Sequence, residues 1–159
     1  MGEDCTSYHE ETLVMIGLLQ RVKAASVRVE GELIARIDHG LVVLVGVRLG
    51  DDAAHAQKLA ARLLGYRVFA DAAGRMNRSV LEVAGGLILV PQFTLAADTG
   101  SGTRPGFSTA AEPALARALF EHLLRTVQHT LPGVQSGRFG ADMQVALVND
   151  GPVTFWLEA

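Results

Sequence analysis

Seven consecutive apolar residues, LVVLVGV at 41 to 47, constrain this chain more than any other stretch. They show neither the two-residue alternation of a half-buried strand nor the 3.6-residue stripe of a surface helix. The pattern reads as a strand buried on both faces, which requires a layer of structure on each side of it. The run is far too short to cross a bilayer. GLILV at 86 to 90 is a second strand of this kind.

Around these two runs the chain divides into short elements. IGLLQRV (16–22) and ASVRV (25–29) read as two strands, and Glu30-Gly31-Glu32 turns the chain into LIARI (33–37) as a hairpin. Asp38-His39-Gly40 is expected to turn before LVVLVGV. Asp51 or Asp52 can cap a helix running to about Leu64, with Leu59 and Leu63 on its apolar face. YRVFAD (66–71) is expected as a short strand, with Ala73-Gly74 as a turn. GLILV runs straight into PQFTL (91–95), followed by a Gly/Ser/Thr-rich loop at 98 to 109. Thr109 and Glu112 match a capping box, and Pro113 suits a first helical turn. That helix carries Leu115, Leu119, Leu123 and Val127 as its stripe, ends near His129, and is stopped by Leu131-Pro132-Gly133. Two strands, MQVALVN (143–149) and VTFWL (153–157), are expected to close the chain, joined by Asp150-Gly151-Pro152.

The reading is seven or eight strands clustered at both ends and two substantial helices. It implies an α+β single domain with a curved, barrel-like, mostly antiparallel or mixed sheet and helices packed outside. A chain of 159 residues suits one domain with a real core. Residues 1–14 stand apart. They carry Glu3, Asp4, Glu10 and Glu11 with no Lys or Arg, and are expected to be a disordered, silent extension before a domain at 15–159. The whole chain has 14 basic and 17 acidic residues; without those four acids, 13 acidic ones remain, for a net charge of +1 against −3. No global basic field exists, so nucleic-acid contact must use local arginines, helix ends or backbone amides.

The familiar catalytic constellations are missing. The one cysteine, Cys5, allows no intrachain disulfide and no cysteine zinc cage. The five histidines (9, 39, 55, 122 and 129) fall in no metal-ligand spacing. There is no phosphate loop, no dinucleotide fingerprint and no G-x-S-x-G elbow, so no metal or organic cofactor is expected. No signal-peptide pattern opens the chain, and a cytoplasmic location is the default. Thr94 lies just past a buried strand, but no histidine is near it in sequence, and an unassisted threonine hydroxyl is a poor nucleophile. Gly151-Pro152 is the most unusual backbone dipeptide: glycine accepts angles closed to other residues, while proline fixes its own φ and donates no hydrogen bond.

Taken together, the motifs LLQRVKAASVRVEGELIARIDHGLVVLVGV, FADAAGRMNRSV, GLILVPQFTLAADT, GTRPGF and the terminal N-x-G-P-V-T (Asn149 to Thr154) resemble the D-aminoacyl-tRNA deacylases. The resemblance runs from Met15 to the C-terminus. It implies a homodimer with active sites at the interface, acting on aminoacyl-tRNA without a cofactor or membrane. In this family a Gly-cisPro peptide from one subunit enters the other's pocket, so Gly151 and Pro152 would reject an L side chain. Gln92, Phe93 and Thr94 would form the catalytic wall, with backbone amides holding the ester carbonyl as an oxyanion hole does. The resemblance assigns Arg21 to support of the Gly-Pro loop, and Phe139 and Met143 to the adenosine pocket. Arg104, Arg75 and Arg78 are candidate tRNA-phosphate contacts. The 2′-hydroxyl of the terminal adenosine would assist ester cleavage, which fits the missing side-chain base.

Pro91 departs from the serine usual in this family. A related animal branch with relaxed chirality carries proline there, but it also carries alanine where this chain keeps Phe93. The D-specific reading is therefore preferred. The alternatives are a relaxed-chirality tRNA deacylase and a nucleic-acid-binding module without turnover.

Overall fold

The structure is a computed structural model describing residues 14–159; of the expected extension, all but Val14 lies outside the described residues. Strand β1 (Ile16–Val29) is the backbone of the fold. It pairs antiparallel with β2 (Glu32–Ile37), β3 (Gly40–Gly46) and β8 (Met143–Glu158). Two expected strands are thus one. The break expected near Lys23 is a shift of register against β8 between Val22 and Ala24, not a turn.

The turn expected at Asp38-His39 is likewise only a bend. Ala25 pairs with Ile37 and Val22 with Gly40, so residues 32–46 follow one edge of β1 in a single antiparallel course. The sheet order is β2-β1-β3-β6-β7, with β6 (Gly86–Pro91) and β7 (Gln135–Ser136) parallel to their neighbours. The Gln135 side chain then acts as a strand: its Nε2 donates to Arg36 O and its Oε1 accepts from Arg36 N–H, each at 2.7 Å. That clasp curls the mixed sheet nearly closed.

LVVLVGV does face two layers. Leu41, Val43 and Val45 pack with Leu59 and Leu63 of α1 (Ala53–Gly65) and Leu119, Leu123 and Val127 of α2 (Pro113–Thr130). Val42 points the other way, into a second cluster with Val27, Ile37, Ile88 and Val90. Burying each such side chain contributes about 1.5–3 kcal/mol relative to exposure. Gly46 ends the run for a packing reason: a Cβ there would lie 2.9 Å from Leu95 Cβ.

Asp52, not Asp51, caps α1, accepting the His55 N–H at 3.1 Å while His55 Nδ1 accepts the Asp52 N–H at 3.2 Å. The capping box expected for α2 does not form. Glu112 is the N-cap without a side-chain bond, and Thr109 Oγ1 instead donates to Ala96 O at 2.6 Å. Pro113 supplies the preset φ of a first helical position. YRVFAD keeps only Phe69–Ala70 as strand β4, paired with β5 (Met76–Arg78).

The largest revision is at the C-terminus. Asp150-Gly151-Pro152 does not join two strands. Both segments run antiparallel to β1 within the one strand β8, with Thr154 opposite Gln20 and Asn149 opposite Val22. The residues between are squeezed out as a bulge. A reversal there would have carried 153–157 away from β1, whereas the ladder continues to Glu158.

Candidate active site

Two structures stand out at opposite ends of the sheet, a concave corner after β6 and the convex bulge on β8. At the corner, β6 ends at Pro91, and Phe93–Ala96 form a single 3-10 turn instead of continuing the strand. The Gln92 N–H is already given to Val45 O at 2.8 Å. The N–H groups of Phe93 and Thr94 open the turn and find no acceptor among the described residues. Of the three amides expected as carbonyl holders, two are free and one is not. The Gln92 side-chain amide donates to Thr94 Oγ1, so the hydroxyl is held by an amide and not by a base.

Gln92 and Phe93 edge a cleft of about 270 Å³ lined also by Pro91, Gly140, Asp142 and Met143, with Thr94 next in the turn. Phe139 lines a smaller apolar cavity on the other side of Pro91–Phe93, with Val47 and Phe120. Arg117 sits over the Phe139 ring at 5.2 Å. Phe93 is 62% exposed, and its ring meets Phe107 at 5.3 Å. Phe107 belongs to the loop carrying exposed Arg104, which is pinned by two backbone bonds between Asp98 and Gly106 at 2.7 and 2.9 Å. The corner therefore gathers Gln92, Phe93, Thr94, Phe139 and Met143, while Arg104 is exposed on the adjoining loop.

The bulge gathers the rest. The Gly151–Pro152 peptide is cis, and Gly151 has φ +140°, a region that only glycine occupies readily. Both residues are exposed. Arg21 braces the bulge from below, its Nε donating to Asp150 O at 2.9 Å and its Nη1 to Val68 O at 2.6 Å. Asn149 spans the base: its Oδ1 accepts the Val153 N–H at 2.7 Å and its Nδ2 donates to Thr154 Oγ1 at 2.9 Å. Asn149 was missed as a site residue by sequence reasoning. The available signal was an Asn just before a Gly-Pro, since such side chains satisfy backbone groups that a distorted chain leaves open.

Corner and bulge do not meet on one chain. Arg21, below the bulge, lies opposite Leu41, which pairs with Leu87, five residues before Gln92. Along β8, Met143 of the cleft lies opposite Val29 and Asn149 of the bulge opposite Val22, so seven residues of β1, about 20 Å, separate them.

Asp142 is the one ionisable residue lining the larger cleft. Two carboxyls away from it are shifted. Burial pushes Asp51 above the usual aspartate value, partly offset by the Arg48 N–H. Asp71 is held below it, chiefly by the Asn77 amide. No group of three or more His, Cys, Asp or Glu among the described residues could hold a metal ion. None of the described helices is long and apolar enough to cross a membrane.

Fold and site together describe a small α+β protein with backbone donors at a strand-end cleft and a braced Gly-Pro projection. The chain belongs to the D-Tyr-tRNA(Tyr) deacylase family, whose model matches residues 18–158. It is 60% identical over 144 residues to the D-aminoacyl-tRNA deacylase of Pseudomonas entomophila (strain L48), covering 91% of this chain and 99% of the relative. Identity to the enzyme of the same name from Alkalilimnicola ehrlichii is 57% over 145 residues, with 91% and 97% covered. Among solved structures, the c-Myc DNA Unwinding Element Binding Protein matches with a TM-score of 0.86 and 35% identity, covering 91% of this chain and 98% of that one. A probable eukaryotic D-amino acid tRNA deacylase shares the fold at a TM-score of 0.82 and 15% identity, with 92% and 100% covered.

Proposed function

We propose that this protein is a cytoplasmic homodimer that hydrolyses the ester of D-aminoacyl-tRNA and of mischarged glycyl-tRNA. The observation that carries the chemistry is the pair of unengaged N–H groups at Phe93 and Thr94 beside the cleft. Water adds to the ester carbonyl carbon, and the two amides hold the oxygen as it gains negative charge. The bond to the ribose oxygen then breaks, and that oxygen leaves with a proton relayed by the neighbouring 2′-hydroxyl. Gln92 positions Thr94 through its side chain, Met143 lines the adenosine side of the cleft, and Phe139 backs Pro91–Phe93 from the apolar cavity behind.

Selection falls to the bulge of the second subunit. Its backbone carbonyls receive the substrate's amino group, and Gly151-Pro152 leaves no room for an L side chain. Arg21 and Asn149 keep this wall from yielding. Glycine has nothing to clash and passes. The 20 Å gap within one chain supports sharing between chains. So does the β8 edge, which lacks a strand partner among the described residues and bears exposed Val148 (56%) and Trp156 (47%).

The test is hydrolysis of D-tyrosyl-, L-tyrosyl- and glycyl-tRNA by catalytic amounts of protein. Loss of the D and glycyl esters with the L ester intact is expected. Cleavage of the L ester would favour the relaxed-chirality reading and make Pro91 the first residue to revert. The solved relative named as a DNA-unwinding-element binder favours a second reading, nucleic-acid binding without turnover. Binding of tRNA with no ester cleaved would establish it.

A further inference from the structure

The β4–β5 hairpin is exposed, rigid and unexplained by the chemistry above. Phe69 at its root is buried and meets the His39 ring edge-on at 4.9 Å, while Ser79 and Val80 are buried where it returns. Residues 72–78 between them are exposed. The Asp71 carboxylate organises the tip, accepting the Ala73 N–H at 2.9 Å, the Arg75 N–H at 3.0 Å and the Asn77 side-chain amide at 2.9 Å. The Asp71 N–H donates to Arg75 O at 2.7 Å.

This network uses the backbone of Arg75 but neither guanidinium. Among the described residues, the side chains of Arg75 and Arg78 make no hydrogen bond and no ion pair within 4.0 Å. Arg75 lies near the tip and Arg78 at the root, paired with Phe69, so the hairpin carries two solvated cations on a preordered frame.

The root of the hairpin is tied to the bulge. Arg21 bonds Asp150 O with Nε and Val68 O with Nη1, and Val68 immediately precedes β4. A planar guanidinium bonded at both positions couples the two backbones as one body. Wherever the bulge goes, the hairpin goes with it.

We propose that this hairpin is a phosphate-gripping arm that works across the dimer: Arg75 and Arg78 of one subunit hold the sugar–phosphate backbone of the tRNA whose ester lies in the partner's cleft. This rests on the shared-site reading above. Asp71 and Arg75 lie about 7 Å beyond the Phe69–Arg78 pair, two strand residues along. Carried beside the bulge, the two arginines would hold phosphates close to the acylated end. Such contacts set position and affinity without reading sequence. They suit an enzyme acting on many tRNAs with a net charge near neutrality.

Mixed dimers test it. One chain carries Phe93→Pro, which removes a proposed donor and leaves one live cleft per dimer; Arg75→Ala with Arg78→Ala is then placed on either chain. With the arm altered on the dead-cleft chain, the KM for D-tyrosyl-tRNA should rise about tenfold with kcat retained. The salt slope of kcat/KM should become shallower by about two, one unit for each lost phosphate contact. With the arm altered on the live-cleft chain, both should match the dimer with unaltered arms. D-tyrosyl-adenosine, which has no phosphates, should be cleaved equally by all. The reverse pattern, or no change in either dimer, overturns the proposal. Moving Gly151→Val between the chains separates the two readings. If it acts only from the dead-cleft chain while the arm does not, the arm alone fails; if it acts only from the live-cleft chain, the shared site fails and the arm with it.

Discussion

The corner at Pro91–Thr94 and the bulge at Asp150–Pro152 both interrupt a strand, and they do so in opposite ways. The corner turns inward at the end of a strand buried on both faces, where Gly46 lets the 3-10 turn settle against β3. Its neighbours are apolar, and what it offers is two backbone donors. The bulge turns outward from an edge strand, held by polar bonds from Arg21 and Asn149, and what it offers is exposed carbonyls and a proline ring. One half is a socket and the other a plug, and a single chain holds them about 20 Å apart. These two complementary features are the ones the proposed sharing between two copies would bring together.

The largest expected effect comes from breaking the socket. Phe93→Pro removes one donor at a first helical position where proline fits. The kcat for D-tyrosyl-tRNA should drop about 10²- to 10³-fold with circular dichroism and melting unchanged, whereas Phe93→Leu keeps the N–H and should stay within about tenfold of the parent. Equal losses in the two would show that the ring, not the amide, matters.

Breaking the plug should be milder for rate and stronger for selectivity. In Gly151→Ala the new Cβ would lie 2.7 Å from Val153 Cγ2 at φ +140°, displacing the tip. Strain of this kind costs about 1–3 kcal/mol. The ratio of D- to L-tyrosyl-tRNA cleavage should fall at least tenfold; an unchanged ratio would remove the bulge from chiral selection.

Loosening its supports sharpens the same point. Asn149→Ala leaves the Val153 N–H without its acceptor, a loss of about 1–2 kcal/mol in urea denaturation. Arg21→Lys replaces the planar two-point clasp of Asp150 O and Val68 O with a rotatable point donor. Both variants should cleave L-tyrosyl-tRNA measurably while retaining most D activity. Full selectivity in both would mean the bulge keeps its shape unaided.

The smallest effect is a control remote from both halves. Burial raises the Asp51 carboxyl, so its stabilising contribution is complete below the unfolded value of about 3.9 and is lost as pH rises through the folded value. Asp51→Asn keeps an acceptor for the Arg48 N–H and removes the titration. The variant should melt at or slightly above the parent at pH 7.5, lose that advantage toward pH 4, and leave kcat untouched. A lower melting temperature at pH 7.5 would show that the ionised carboxylate is stabilising after all.

Much of the fold was legible because burial leaves its mark on local composition. LVVLVGV and GLILV announced strands covered on both faces, and the stripes at Leu59/Leu63 and at Leu119/Leu123/Val127 announced the helices that cover one of them. The site was legible in parts through its resemblance to a family. What local pattern misread were the interruptions. Asp38-His39 and Asp150-Gly151-Pro152 look like chain reversals, yet each is an irregularity within a ladder. Thr109 looked like a cap and proved to be a tie to Ala96.

The amino-acid order by itself determined which residues leave water and which backbone positions demand glycine or proline, because hydrophobicity and allowed dihedrals are properties of each residue. Only the tertiary structure decided whether an unusual dipeptide turns the chain or is pushed out of it, because that depends on whether the strand beyond finds β1 still there to pair with. It also decided which amides remained without an acceptor among the described residues: Val45 took the Gln92 N–H and left those of Phe93 and Thr94, a matter of which carbonyl the adjacent β3 brings within reach.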